Sequence, residues 1–345
     1  MMMENHPNEQ EQNVSEMIQV RIDKLNKLIE EGKNPYEVTQ YPVDASANEI
    51  KQDFDTFDEK NVSLAGRIMA KRGQGKVSFY DLQDASGRIQ LFIRFNDIGE
   101  EAYQQIKSYD IGDIIGVKGV VFKTKMGEIS IRISEMQLLA KSVKILPEKF
   151  HGLKDMDLRY RQRYLDLTVN PEIKDVFIMR SKIIRYVREF LDNRGFLEVE
   201  TPVLATLAGG ANARPFITHH NTLDIPMYLR IALELPLKRL IAGGFDKVYE
   251  LGRVFRNEGM DATHNPEFTM MESYEAYADY VQVMEMIEKL LQYVSDKVFG
   301  TTTVLYQGVE ISFQAPFKKA RMADLVAEYT GVDFDAITEF EVARD

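Results

Sequence analysis

The 345 residues contain no cysteine. Disulfides, thiolate metal sites and cysteine nucleophiles are therefore excluded. A cysteine-free chain suits a reducing cytoplasm, the compartment expected for it. No apolar run approaches the roughly 18 residues needed to span a bilayer. The opening MMMENHPNEQEQNVSE is polar and acidic, without the basic-then-apolar order of an export signal. Internal repeats and low-complexity tracts are missing too. Positive charge is in deficit: 43 basic residues stand against 54 acidic ones, a net charge of −11. Such a chain does not coat nucleic acid through its overall field, although a local basic face stays open to it.

What is present reads as a two- or three-domain globular protein. Residues 1–55 form an N-terminal extension. Within it 1–13 look disordered, and Met17, Val20, Leu25 and Leu28 fall near helical spacing before Gly32. Residues 34–46 are a Pro-bearing connector. Residues 56–145 hold four or five short β-rich runs, separated by GQG, DASG and MG turns. That pattern predicts a small closed barrel of the OB type, with a helix inside the insert 98–113. Residues 146–169 form a basic linker; the stretch 141–163 carries seven basic residues against three acidic.

Residues 170–345 alternate helices and strands. Asn170 and Pro171 suit the start of a helix that ends at Gly195. Its apolar stripe is Ile173, Val176, Phe177, Ile183, Ile184, Val187, Phe190 and Leu191. FLEVETPVL then reads as extended chain. A strand is expected at 227–233, a short helix at 234–244 and a strand at 247–256. An Asp-capped helix follows at 279–300, with Val281, Met284, Leu291, Val294 and Val298 inside. A further β-like piece and a helix near 318–330 complete the pattern.

FRNEGMDATHNPEFTMME (255–272) sets charges in an apolar frame. On a strand, alternate residues share a face. This groups Gly252, Val254, Arg256 and Glu258, and likewise Phe268, Met270, Glu272 and Tyr274. An antiparallel hairpin with one polar-aromatic face follows. Arg256 can hold a phosphate or carboxylate bidentately. Phe268 offers a flat ring for stacking, and Glu272 a site for a cation. The plainer alternative is a salt-bridged hairpin, Arg256 pairing with Glu258 or Glu272.

The same residues resemble motif 2 of the class II aminoacyl-tRNA synthetases: Phe-Arg-x-Glu, a loop, then His-x-x-x-Phe-x-x-x-acid. NEG, HNPEFT and the final glutamate are similar to the lysyl enzymes. RGFLEVETPVL (194–204) resembles motif 1. AGGANARPFITHHN and MYLRIALELPLKRLIAGGFDKVYE also read like lysyl-tRNA synthetases, and the barrel resembles their anticodon-binding domain. The likeness runs from about residue 15 onward. It implies an α+β protein, with a five-stranded OB barrel followed by an antiparallel catalytic sheet with flanking helices.

The resemblance implies ATP-dependent activation of L-lysine and its transfer to tRNA(Lys), with Mg2+. Arg256 would bridge the lysine carboxylate and the α-phosphate. Glu258, His264, Asn265 and Phe268 would bind ATP, Phe268 by stacking on adenine. Gly210, Glu234, Glu272 and Tyr274 would hold lysine alongside Arg256. In the barrel Arg72, Phe79, Gln90 and Glu128 would meet the anticodon, although Phe79 also reads as plain barrel core. The basic linker would face the tRNA backbone. Motif 1, around Gly195 to Pro202, would make a homodimer. His219 and His220 read as structural.

Two departures stand out. The glycine-rich motif 3 with its arginine is absent, the only glycines after Gly259 being Gly300, Gly308 and Gly331. Magnesium ligands and a further acid are then expected beyond residue 345, in a longer protein, with little adenylate formation by these residues alone. Pro236 stands where other side chains are usual, a mild change near a helix start. The rival readings are an aspartyl- or asparaginyl-type enzyme, against which Glu234 and Glu272 speak, and a non-catalytic RNA-binding relative.

Overall fold

The computed structural model describes residues 9–147, 153–261 and 263–344. Residues 1–8, and 148–152 of the basic linker, lie outside the described residues. The chain divides into two compact units, one through Pro171 and one from Glu172.

The first unit begins with α1 (Glu9–Glu30). It starts five residues before the expected helix, so 9–13 are helical rather than disordered. The barrel comprises β1 (Asn61–Gln74), β2 (Val77–Gln83), β3 (Arg88–Arg94), β4 (Ile114–Lys123) and β5 (Ile129–Ala140), closed in the order β1-β2-β3-β5-β4. Four contacts are antiparallel; β3 and β5 run parallel and complete the ring. Closure leaves no free edge. Alternation drives it: Tyr80 and Leu82 of β2, Ile89, Leu91 and Ile93 of β3, and Ile131 and Ile133 of β5 all turn inward. Each buried aliphatic side chain contributes roughly 1.5–3 kcal/mol.

Helix α2 (Glu100–Ser108) fills the gap between β3 and β4 as expected. Past its end, Asp110 receives Lys24 at 2.7 Å and Lys141 at 2.5 Å. Lys141 also meets the fully buried Asp113 at 2.8 Å. These pairs, with Arg21 donating to the Ser142 carbonyl at 2.9 Å, tie α1 to the barrel. Part of the basic linker is folded into α3 (Met156–Arg161) and α4 (Arg163–Val169). The buried Asp166 accepts from Arg159 and Asn170. Asn170 is therefore turned back to Asp166 and does not cap the next helix, whose first residues carry no side-chain cap.

The second unit opens with α5 (Ile173–Asn193). Four short strands follow: β6 (Leu197–Glu198), β7 (Leu204–Ala205), β8 (Ile217–His220) and β9 (Ile225–Leu229). Next come α6 (Glu234–Ala242), β10 (Lys247–Phe255) and β11 (Glu267–Glu275). Helix α7 (Tyr280–Phe299), a hairpin of β12 (Thr303–Tyr306) and β13 (Val309–Ser312), and α8 (Met322–Thr330) complete the unit. Helix α7 starts at Asp279, which accepts from the amides of Val281 and Gln282, and stops at Gly300, φ +70°. A capped start and a left-handed glycine stop are what delimit a helix.

Strands β10 and β11 pair antiparallel, with the two residues of β6 parallel to β10. The even residues Val248, Val254, Phe268, Met270 and Tyr274 pack on Leu233 and Leu237 of α6. The odd residues Tyr249 and Met271 pack on Leu191 of α5 and Met286 of α7. Only the C-terminal half of the α5 stripe is covered in this way. Val176, Ile178, Met179 and Ile183 stay exposed. On α7 the buried residues are Met286, Leu290 and Ser295; of the expected inner set Val281, Met284 and Leu291 are exposed, and Val294 and Val298 are half-buried. The helix is apolar on two sides and a single partner face decides which is buried.

One buried ion pair braces this sheet. Arg230 Nη1 lies 2.5 Å from Glu250 Oε1, and both side chains are over nine-tenths buried. Arg230 also donates to the carbonyls of Thr201 (3.0 Å) and Arg253 (2.8 Å), while the Thr201 hydroxyl donates to Glu250 Oε2 at 2.6 Å. Gly252 makes the room: a Cβ there would sit 2.3 Å from Arg230 Nη2.

Two outcomes follow. Glu250→Ala leaves a buried guanidinium unpaired, so it should cost about 3–5 kcal/mol in chemical denaturation; a loss below about 1 kcal/mol would contradict the bracing role. In the barrel, burial alone would raise the Asp110 carboxyl, but Lys141 and Lys24 donate to it and hold it below its usual value. Its contribution is then present above the unfolded carboxylate pKa of about 3.9 and lost as pH falls through the lower folded value. The melting-temperature gap between wild type and Asp110→Asn should be constant above about pH 5 and narrow below about pH 4. A gap independent of pH would exclude this.

Candidate functional site

The even-numbered face of β10 and β11 carries the residues singled out in the sequence. Register pairs Val254 with Phe268, Gly252 with Met270 and Glu250 with Glu272, so the expected hairpin face forms. Glu272 is held at both oxygens. The amide of Leu233, at the start of α6, donates to Oε1 at 3.0 Å, and the Tyr274 hydroxyl donates to Oε2 at 2.9 Å. Burial and the hydrogen bond to Glu272 push the Tyr274 phenol well above its ordinary pKa, so it remains a donor. Among the described residues, Glu272 has no cationic partner.

Glu234 opens α6, and its carboxylate adds to the negative field at Tyr274. Lys238, one turn on, meets Glu234 Oε1 at 2.5 Å, with its ammonium 6.0 Å from the Tyr274 ring centre. Gly210 has φ +87°, and a Cβ there would lie 3.1 Å from the Cβ atoms of both Ala232 and Glu234. A glycine is thus required twice over, for its backbone conformation and for close approach. Pro236 falls in the first turn of α6 without breaking it.

Arg256 continues the line of β10. Its guanidinium lies 5.2 Å from the Phe268 ring centre, and Nε donates to the Ile231 carbonyl at 3.3 Å. Among the described residues it forms no ion pair, so the salt-bridged alternative is not what forms. A half-buried arginine with open Nη donors, two carboxylates and an aromatic plate can receive an anion beside a cation.

The loop residues fall between the end of β10 at Phe255 and the start of β11 at Glu267. Glu258 is exposed and accepts from the Arg214 amide at 3.2 Å, while the Asn257 amide donates to the Arg214 carbonyl at 2.8 Å. His264 is exposed and its Nδ1 lies 2.8 Å from Asp261 Oδ2. Amide donors from Thr263 and the contact with His264 hold the Asp261 carboxyl well below the carboxylate range. Asn265 is exposed. His219 pairs with Asp224 at 3.1 Å in the β8–β9 hairpin. Arg214 and Lys238 were missed in the sequence; Lys238 could have been found, four residues after Glu234.

On the barrel, Phe79 turns outward between the inward Ser78 and Tyr80, so it is not core. It heads an aromatic row: Phe79 to Phe92 is 5.2 Å and Phe92 to Phe122 is 5.5 Å between centres. Arg132 lies 5.3 Å over Phe122. Arg72 stands opposite Phe79 in register and pairs with Asp81 at 3.0 Å. Gln90 accepts from the Ser130 hydroxyl at 3.0 Å, two residues before Phe92. Glu128 sits at the start of β5, 3.6 Å from Lys51. Phe92 shares the parity of Gln90 and was legible; Phe122 and Arg132 join only through closure.

No group of three or more His, Asp or Glu among the described residues is disposed to hold a metal ion. None of the described helices is long and apolar enough to cross a membrane.

Comparison with known proteins identifies both domains. Residues 62–139 match an OB-fold nucleic acid binding domain. Residues 155–341 match the tRNA synthetases class II (D, K and N). The chain is 59% identical over 324 residues to a lysine–tRNA ligase of Thermoanaerobacter sp. strain X514, covering 94% of this chain and 65% of that protein. It is 58% identical over 330 residues to the lysine–tRNA ligase of Thermoanaerobacter pseudethanolicus (96% and 66%). For the lysine–tRNA ligase of Clostridium novyi it is 56% over 329 residues (95% and 64%). The chain thus spans just under two thirds of the length of these relatives. An OB barrel followed by a domain matched over more than half the chain leaves one assignment: the chain belongs to the class II tRNA synthetases of the D, K and N group.

Proposed function

We propose that this protein takes part in lysine–tRNA ligation, joining L-lysine to tRNA(Lys) through a lysyl-adenylate. The observation that carries this reading is Glu272. Its two oxygens are fixed by the Leu233 amide and the Tyr274 hydroxyl, both neutral donors, and Glu234 stands beside it. A carboxylate oriented by neutral groups keeps its charge for a cation. Within a family that handles aspartate, lysine and asparagine, two acids on the substrate face favour the cationic amino acid. Buried acids reject neutral analogues, because they would lose their partner.

The reaction starts with the lysine carboxylate attacking the α-phosphorus of ATP. A carboxylate–phosphorus bond forms, the bond to the β-phosphate oxygen breaks, and pyrophosphate leaves. Arg256 bridges the carboxylate and the α-phosphate, its open Nη donors facing the developing negative charge. Phe268 stacks the adenine, Glu258 takes its amino group, and His264 and Asn265 close on ATP from the loop. Gly210 lets the backbone approach lysine. No proton need be taken from the nucleophile, which is already an anion. The tRNA 3′ hydroxyl then attacks the carbonyl: an ester bond forms, the bond from the carbonyl carbon to the phosphate oxygen breaks, AMP leaves, and the hydroxyl proton passes to the departing phosphate or to water. Mg2+ would accompany ATP and offset the charge on its phosphates; no group of three or more His, Asp or Glu among the described residues is disposed to hold it.

The tRNA anticodon binds the barrel's outer face, stacking on Phe79 and the row behind it, with Arg72, Gln90 and Glu128 reading edges. A homodimer through 195–202 would cover the exposed apolar residues of α5. The absence of cysteine fits a cytoplasmic setting.

Two measurements test the reading. Lysine-dependent ATP–pyrophosphate exchange, measured in a chain extended through a glycine-rich motif 3, should drop by roughly 10²-fold in Glu272→Gln, the order expected for a lost charge partner. Exchange driven by aspartate or asparagine in place of lysine would assign a different substrate. Phe79→Ala and Phe92→Ala should each weaken tRNA binding by about five- to 100-fold, the worth of one base stack. Unchanged binding in both would move the RNA surface elsewhere.

A further inference from the structure

Glu234 and Glu272 are not in the same electrostatic condition. Glu272 is met only by neutral donors. Glu234 is already met by an ammonium, that of Lys238, at 2.5 Å. This ammonium also lies 6.0 Å over the ring of Tyr274, the residue that orients Glu272. Helix α6 fixes the arrangement: Leu233 and Leu237 are fully buried, so Glu234 and Lys238, a turn apart, are both held beside Tyr274. The pair remains reachable from solvent, with the lysine side chain 57% exposed and the glutamate 32%.

We propose that Lys238 is an internal occupant of the substrate-cation site, which competes with substrate lysine for Glu234 and so sets its affinity. This rests on the reading of Glu234 and Glu272 as the lysine-binding acids. The group that blocks Glu234 is chemically the group the site receives, a primary ammonium. An exposed lysine–glutamate pair of this kind is weak, so it yields to a better-placed cation. It therefore lowers affinity without closing the site, in proportion to the fraction of molecules in which Glu234 is free. While the site is empty it spares Glu234 from standing unpaired beside Glu272, where two carboxylates repel. Lys238 acts through Glu234 and has no part in the bond-making step; it is a positioning residue.

Calorimetric titration of the purified protein with L-lysine tests this, using Lys238→Met and Lys238→Arg. Methionine keeps the length and apolar stem and removes the charge. It should tighten lysine binding about two- to fivefold, the range an exposed pair can supply. Arginine keeps a cation at Glu234 and should leave binding near the wild-type value. The gap between wild type and Lys238→Met should shrink as salt rises, because the internal pair is screened. A general loosening of the helix would neither tighten binding nor be rescued by arginine. Wild type that binds lysine, with Lys238→Met equal or weaker, overturns the competition and leaves the lysine reading intact. Wild type that binds no lysine overturns both.

Discussion

The Arg230–Glu250 pair is the constraint from which the rest of the second unit follows. A buried guanidinium and a buried carboxylate are each costly, and persist only when every donor and acceptor is met. Here the requirement binds three pieces of chain. The segment after β6 supplies Thr201, β10 supplies Glu250 and the Arg253 carbonyl, and Gly252 is left bare so that the guanidinium can lie across the strand. The backbone of Arg230 joins in, donating to Val203 and accepting from Phe255. The neighbouring residues are thereby set in place: the Ile231 carbonyl meets Arg256, and the Leu233 amide meets Glu272. Charges in an apolar frame are tolerable because each is answered by a group that this pair positions.

The two faces of the sheet divide the work. The odd face is sealed by α5 and α7 through Leu191, Tyr249, Met271 and Met286. The even face meets α6, which covers Val248 and Val254, and the Arg230 side chain, which covers Glu250 and Gly252; Glu272, Phe268 and Arg256 stay half-buried. Its polar groups are satisfied in distinct ways. Glu272 takes neutral donors, Arg256 takes a ring and one carbonyl, and Glu234 takes an ammonium. None of these is a strong charge pair, so an incoming zwitterion or polyphosphate displaces little. Glu272 and Arg256 are preorganised without self-neutralisation, whereas Glu234 is partly neutralised by Lys238.

How far the sequence foretold this depends on whether the deciding contact is local. Period-two alternation is local, so the hairpin face of Val254, Phe268 and Glu272 and the five barrel strands were legible. Caps are local too, hence the Asp279 start and Gly300 stop. One partner of Glu272, the Leu233 amide, lies 39 residues away and was not legible; the other, Tyr274, is two residues on and shares its strand face. Helix faces failed for a related reason. Helices α5 and α7 each carry more apolar surface than one neighbour covers, so amphipathicity alone did not say which part is buried. Asn170 has a cap's chemistry, but Asp166, buried with two arginines, recruits it first.

Charge sets the terms on which the barrel can hold RNA. At a net −11 the chain as a whole repels a polyanion. The two arginines nearest the aromatic row are partly neutralised, Arg72 by Asp81 at 3.0 Å and Arg132 by Glu59 at 3.8 Å. What remains is a neutral platform of Phe79, Phe92 and Phe122. Stacking draws on ring area and tolerates the wrong overall sign, which phosphate contacts do not. For the anticodon-binding role proposed above, such a surface favours unpaired bases over duplex backbone. The acidic composition then disfavours duplex RNA more than a loop whose bases are already splayed.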